Sequence, residues 1–193
     1  EGQPMPYFRK EFTLDQGIPV KALAYFCGLG SGELYINGHQ VDPTRFLDPA
    51  QTNYDHYALY STLDVTEYLR TGDNCLGVML GEGWFAQREA WNGANFAYGD
   101  PMFRLQVILF YADGRCEQLT SDESWSWKEG PVSRTNIYLG EVYDARMEIP
   151  GWSEPGLSSD GWQGALLATE NIPPKLVPQV IEPIRKQELI TAQ

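Results

Sequence analysis

The sequence predicts an all-β domain, a jelly-roll β-sandwich with long loops and a few short helical turns. Three observations carry that prediction. Phe8-Arg9-Lys10-Glu11-Phe12-Thr13-Leu14 alternates with period 2, as a half-buried strand requires. Asn37-Gly38, between Leu34-Tyr35-Ile36 and His39-Gln40-Val41, supplies the positive φ angles of a type I′ hairpin turn. Helical periodicity is scarce throughout.

The elements follow in order. After the first strand, Val20 to Phe26 forms a second run, closed by Gly28, Gly30 and Gly32. The Glu33–Ile36 strand and its hairpin come next. Residues 42–56 carry two Pro and many polar residues and read as a long loop; Tyr57 to Leu63 resumes as strand. Val65 to Leu69 reads as a short helical turn that Asp64 or Thr66 can cap. Gly72-Asp73-Asn74 turns the chain into Cys75 to Leu80. Residues 81–101 hold four Gly, two Trp and few periodic apolar positions, the pattern of an extended functional loop. Phe103 to Tyr111, the turn Ala112-Asp113-Gly114 and Cys116 to Thr120 make another hairpin, and Trp125 to Trp127 alternates. An irregular segment opens at Val142. Beyond Trp152 the chain is rich in Pro and Gly. Pro173-Pro174, Pro178 and Pro183 favour an extended tail over packed structure. Residues 1–172 are therefore expected to form the sandwich, and 173–193 an extended Pro-rich segment leading to a further domain. Ile184 to Ile190 reads as a strand whose partner lies past the last residue.

Composition narrows the function. A hydrophobic share of 42% over 193 residues is enough for one sizeable core and argues against disorder. The formal charge of −12, with no basic run to offset it, opposes binding to nucleic-acid phosphates. No apolar run approaches the ~18 residues of a spanning helix, so no membrane partner is expected. Glu1 reads as a boundary inside a longer protein, so the lack of a leader says little and the compartment stays open. Cys27, Cys75 and Cys116 are well separated and match no metal spacing. They read as small apolar strand residues, with one disulfide as the alternative.

Several segments together resemble the N-terminal domain of bacterial α-L-rhamnosidases. They are Tyr35-Ile36-Asn37-Gly38, Asp64 to Asn74, Gly81-Glu82-Gly83-Trp84-Phe85 and Gly140-Glu141-Val142-Tyr143-Asp144-Ala145-Arg146. Gly151-Trp152, Pro155-Gly156, Asp160-Gly161-Trp162 and Pro183-Ile184-Arg185 also fit, so the resemblance spans roughly residues 7 to 190. The first two segments recur in many galactose-binding-like jelly rolls; the third and fourth, in that order, are far more specific. The resemblance implies a sandwich placed ahead of an inverting (α/α)6-barrel catalytic domain. This chain has neither the length nor the helical periodicity for that barrel, so the catalytic carboxylates are expected elsewhere and no activity is expected here.

Candidate site residues follow from chemistry. Inversion needs two carboxyl groups ~6.5–9.5 Å apart; nothing in the sequence pairs any two of Glu82, Glu89, Asp100, Glu141 and Asp144. Sugar recognition needs a flat apolar face and hydrogen-bonding side chains. In the Gly-rich loop Trp84, Phe85 and Trp91 offer the face, and Arg88, Asn92, Asn95 and Asp100 the donors and acceptors. Against this, Trp84 reads equally as a buried anchor at the loop's start. Some related rhamnose-binding domains hold their sugar through calcium, which takes 6–8 oxygen ligands. Asp48, Asn53 and Asp55, with Asp42 nearby, are the candidates, although turn-forming roles serve them equally well. Relatives often read Thr-Asp-Tyr where this chain has Thr52-Asn53-Tyr54, which weakens the metal reading. His39 reads as solvated and His56 can line the same loop; a structural or surface role is expected of both. Tyr143, Asp144 and Arg146 read as glue toward the downstream catalytic domain, with Arg146 able to clamp a carboxylate.

The leading expectation is thus a non-catalytic scaffold facing rhamnose-containing glycans. The rivals are an autonomous rhamnose-binding module, calcium-dependent or not, and an adhesion-type jelly roll with a protein partner. A module needs Trp84 and Trp91 exposed, whereas the adhesion reading asks for an apolar patch of several hundred Å².

Overall fold

The computed structural model describes residues 5–90 and 92–191. In chain order its strands are β1 (Pro6–Leu14), β2 (Lys21–Leu29), β3 (Ser31–Ile36), β4 (His39–Gln40), β5 (Arg45–Phe46), β6 (Ala58–Asp64) and β7 (Gly72–Gly81). Then come β8 (Met102–Phe110), β9 (Cys116–Thr120), β10 (Ser126–Glu129), β11 (Val132–Asn136), β12 (Gly140–Tyr143), β13 (Gln163–Gly164), β14 (Leu176–Pro178) and β15 (Ile184–Arg185). A six-stranded sheet in the order β13-β10-β1-β7-β3-β4 packs against a five-stranded sheet in the order β14-β6-β2-β8-β9. The all-β expectation holds, with helix limited among the described residues to two 3-10 turns, Thr66–Tyr68 and Ala145–Met147.

Period-2 patterning builds the core. Ala22, Ala24 and Phe26 of β2, Leu34 and Ile36 of β3, Leu76, Val78 and Leu80 of β7, and Leu105, Val107 and Leu109 of β8 meet between the sheets. Each fully buried aliphatic side chain there contributes about 1.5–3 kcal/mol. Trp125 closes one end, donating its indole N–H to the Thr120 carbonyl at 3.0 Å. The Asn37-Gly38 turn has φ of 52° and 84°, the I′ signature, and the Asn37 side chain accepts from Cys75 N and donates to Asn74 and to the Tyr68 carbonyl. Val65, not Asp64 or Thr66, is the N-cap of the turn and makes no side-chain capping bond; Asp64, one residue earlier, accepts from Thr66 N and Oγ1 instead.

Both sheets are covered on their outer faces as well. On the six-stranded sheet, Trp152 stacks on Tyr7 with ring centroids 4.3 Å apart. Arg9, buried in β1, donates to the carbonyls of Trp152 at 2.9 Å and Glu154 at 2.8 Å. Gly77 is required beneath this cover, because a Cβ there would lie 2.7 Å from the Trp152 ring. On the five-stranded sheet, Cys27 and Leu29 of β2 form a second small core with Tyr54, Ala58, Phe85 and Ala86.

Three elements differ from the sequence reading. The tail is extended, but it is not free of the sandwich. β14 adds to the five-stranded sheet beside β6 in parallel, and Ile184–Arg185, the start of the run expected to pair past the last residue, pairs as β15 with β5. An open sheet edge gains from any short extended partner, and Pro178 sits where an edge strand tolerates proline. The second is the β11–β12 hairpin, which has no buried alternation to announce it; every residue of β12 is exposed. The third is Cys116, exposed on β9 rather than buried. Cys27 and Cys75 are buried free thiols, pushed up to about 12 and about 11 by burial, and so inert.

Candidate functional site

The Gly-rich loop leaves β7 through a close backbone crossing. A Cβ on Gly83, whose φ is +48°, would sit 2.1 Å from Gly30 C, and one on Gly30, at φ +118°, would sit 2.1 Å from Gly81 O. Only glycine at both positions lets the two segments touch. The chain then turns, with Ala86 N donating to Glu82 O at 2.9 Å, and runs out and back as an irregular ladder. Phe96 N donates to Gln87 O at 3.0 Å, and Tyr98 N to Phe85 O at 2.9 Å. The loop is thus a folded lobe on the outer face of the five-stranded sheet.

Its side chains divide by role. Phe85 has no accessible surface: it meets Tyr54 edge-on at 5.2 Å and stacks with Tyr98 at 6.0 Å. That corrects its assignment as a sugar-facing ring, because a ring enclosed on both faces has none left for a ligand. Trp84 is half-buried against the same small core, closer to the anchor reading than to an open platform. Trp91 lies outside the described residues. Asn92 and Asn95 are exposed, and each side chain accepts from the backbone two residues on, at Ala94 and Ala97. Arg88 bonds Asp100 across the base of the lobe.

Beneath the lobe lies a buried polar group that the sequence did not assemble. Glu82, only 3% exposed, accepts from Asn136 Nδ2 at 3.2 Å and lies 4.0 Å from Arg88 Nη1. Asn136 also donates to the Glu89 carbonyl at 2.8 Å and accepts from Tyr138 N and Leu139 N. Burial pushes the Glu82 carboxyl up, offset in part by the Asn136 hydrogen bond and by Arg88 and Arg134. The cluster ties the lobe to the β11–β12 hairpin. Its bonds to Tyr138 and Leu139 are those of a turn, and nothing local pointed to its place beside Glu82, because Glu82 and Glu89 stand 54 and 47 residues away in the chain.

The calcium candidates are not gathered into a site. Asp48 faces Arg45, accepting from Nη2 at 2.8 Å and Nε at 3.1 Å, and from Ser61 Oγ at 2.6 Å. A guanidinium in that position repels a cation, so this carboxylate does not fit the metal. Asn53 shapes a turn by accepting from Asp55 N, and Asp55 is exposed. Asp42 bonds Thr44 and Arg185. Among the described residues no group of three His, Cys, Asp or Glu is placed to hold a metal. His39 and His56 are exposed, as expected.

Asp144 and Arg146 do point the same way, and they pair with each other: Arg146 reaches both Asp144 oxygens, at 2.8 and 2.5 Å. Tyr143 bonds Glu148. All three stand at the surface, with the Arg146 side chain 89% exposed.

Comparison with known proteins follows this geometry. The sequence model of the α-L-rhamnosidase N-terminal domain family matches residues 18–188. The chain belongs to this family. An α-L-rhamnosidase of Formosa agariphila is 38% identical over 167 residues, which are 84% of this chain and 17% of that protein. One of Streptomyces avermitilis is 35% identical, covering 92% of this chain and 17% of its own length. The crystal structure of a Streptomyces avermitilis α-L-rhamnosidase complexed with L-rhamnose superposes with a TM-score of 0.91 and 32% identity, over 97% of this chain and 18% of that one. The chain thus spans about a fifth or less of the length of the rhamnosidases it matches.

Proposed function

We propose that this chain is the non-catalytic N-terminal domain of a longer α-L-rhamnosidase, acting as an interdomain scaffold that faces rhamnose-containing glycans. One observation carries the reading: membership of the family over residues 18–188, with relatives several times longer that are α-L-rhamnosidases. The fate of the acids supports it. Glu82 is enclosed against Asn136, Asp100 bonds Arg88, and Asp144 is held by Arg146. An inverting hydrolase needs one carboxyl free to protonate the leaving group and one free to activate water. Glu89 and Glu141 are exposed and make no ion pair among the described residues, so the assignment of the catalytic pair to another domain of the longer enzyme rests on the family membership.

The test is hydrolysis of an aryl α-L-rhamnoside by the 193-residue chain and by the longer polypeptide that carries it. Turnover only by the longer protein is expected; turnover by the short chain overturns the non-catalytic assignment. A calorimetric titration of L-rhamnose into the folded short chain, in calcium and in chelator, separates scaffold from module. Saturable heat makes it a binding domain in its own right, with the exposed Asn92, Asn95 and Asp100 as the place to mutate first.

A further inference from the structure

A groove of about 320 Å³ lies between the β11–β12 hairpin and the loop after β4, with no residue of the Gly-rich lobe in its lining. Its floor is apolar, with Met5, Leu47 and Met79 among the lining residues. Its rim carries Phe46 and Tyr143, both 49% exposed. Leu47 holds φ +50°, a left-handed conformation that a bulky side chain adopts only when its surroundings impose it. The charges at the rim are mostly satisfied: Arg45 is paired with Asp48, and Asp42 with Arg185. Glu33 and Glu141 are the exceptions. Both line the groove and neither makes an ion pair among the described residues; Glu33 accepts from the Tyr35 hydroxyl, whereas Glu141 is exposed.

The path of the tail bears on what fills the groove. β15 places Ile184 opposite Phe46, so the last ordered strand runs along the groove's rim, and Lys186 reaches the Phe46 ring at 5.8 Å. Ile184 itself is 55% exposed, and Val142 beside Tyr143 is 46% exposed. Thioether and alkyl groups do not bond hydroxyls, so the floor suits an apolar side chain better than a pyranose. Methionines adapt their shape to such a knob, and an unpaired carboxylate at the rim favours a neighbouring cation.

We propose that this groove receives an apolar side chain, flanked by Lys or Arg, from another domain of the longer polypeptide. The inference rests on the reading above that the chain is one domain of such a polypeptide, and it names the surface through which the scaffold acts.

Hydroxyl-radical footprinting of the 193-residue chain and of the longer polypeptide tests it. Oxidation of Met79, Phe46 and Tyr143 is expected to fall several-fold in the longer protein, while that of Phe96 and Tyr98 in the lobe stays unchanged. Glu141→Lys, at an exposed side chain with no ion pair among the described residues, should leave the melting of the short chain unchanged and restore Met79 oxidation in the longer one. Equal labelling in the two proteins overturns the proposal. So does protection of the short chain that grows with its own concentration, which would make the occupant a second copy, or protection by L-rhamnose, which would make the groove a glycan site. Rhamnosidase activity without protection refutes the docking surface alone; protection without activity refutes the functional assignment alone.

Discussion

Phe85 fixes the lobe by a single side chain. Its ring fills the space between Tyr54, Tyr98 and the back of β2, where no water reaches it. Phe85→Ala should cost about 3–5 kcal/mol, the range for emptying a buried aromatic site, read as a lower urea midpoint. Trp84→Ala should cost less, because part of what it removes was already in water; equal losses would refute the anchor role. Adjacent aromatics after Gly83 carry no local mark of which is buried, since alternation stops where β7 ends. Arg9 was hidden for a related reason. Its place in an alternating strand reads as solvent-facing, yet a segment 143 residues later covers it and supplies its acceptors. Asn37-Gly38, whose conformation depends only on its own backbone, was legible outright.

At the scale of elements, the lobe depends on the crossing of Gly30 and Gly83. Gly83→Ala forces a Cβ into Gly30 and keeps an alanine at positive φ, so a loss of at least about 1–3 kcal/mol is expected from strain alone. Gly93→Ala is the matched control, at φ +73° with nothing within 4 Å, and should cost only about 1 kcal/mol. Chemical denaturation of the two variants decides it, and comparable midpoints would mean that the crossing yields. Central strands were readable because their inner faces alternate. The β11–β12 hairpin, β14 and β15 were not: the hairpin stands clear of the core and lacks a buried alternation, while β14 and β15 are two or three residues long, lie at edges and take their register from distant partners. The same limit applied to the sites. The Gly-rich stretch announced a special loop, but only the folded chain brings Glu82 to Asn136 or turns Asp48 toward Arg45.

For the whole molecule, the acids of a chain with net charge −12 act on stability in opposite directions. The Lys21 hydrogen bond draws the Asp64 carboxyl down from 3.8 to about 2, and the Ser124 hydrogen bond does the same for Asp122. A carboxyl lowered on folding adds stability that is complete above its unfolded value and is lost as pH falls from there toward about 2. Burial raises Glu82 above its ordinary 4.5, so the sign reverses: its contribution is complete below 4.5 and is lost as pH rises through the folded value. Self-repulsion among the excess carboxylates adds to the loss on the alkaline side. Thermal stability should therefore peak in mildly acid solution, and melting curves across pH locate the maximum. Asp64 and Asp122 are roughly half exposed, so salt should flatten the acid arm. Glu82 is enclosed, so its share of the opposite arm should persist in salt and disappear in Glu82→Gln, which keeps an acceptor for Asn136 but cannot ionise. A Glu82→Gln protein with an unchanged neutral-side slope would show that the buried carboxyl is neutralised by Arg88 and Arg134 in the native state and leaves the pH profile to the surface.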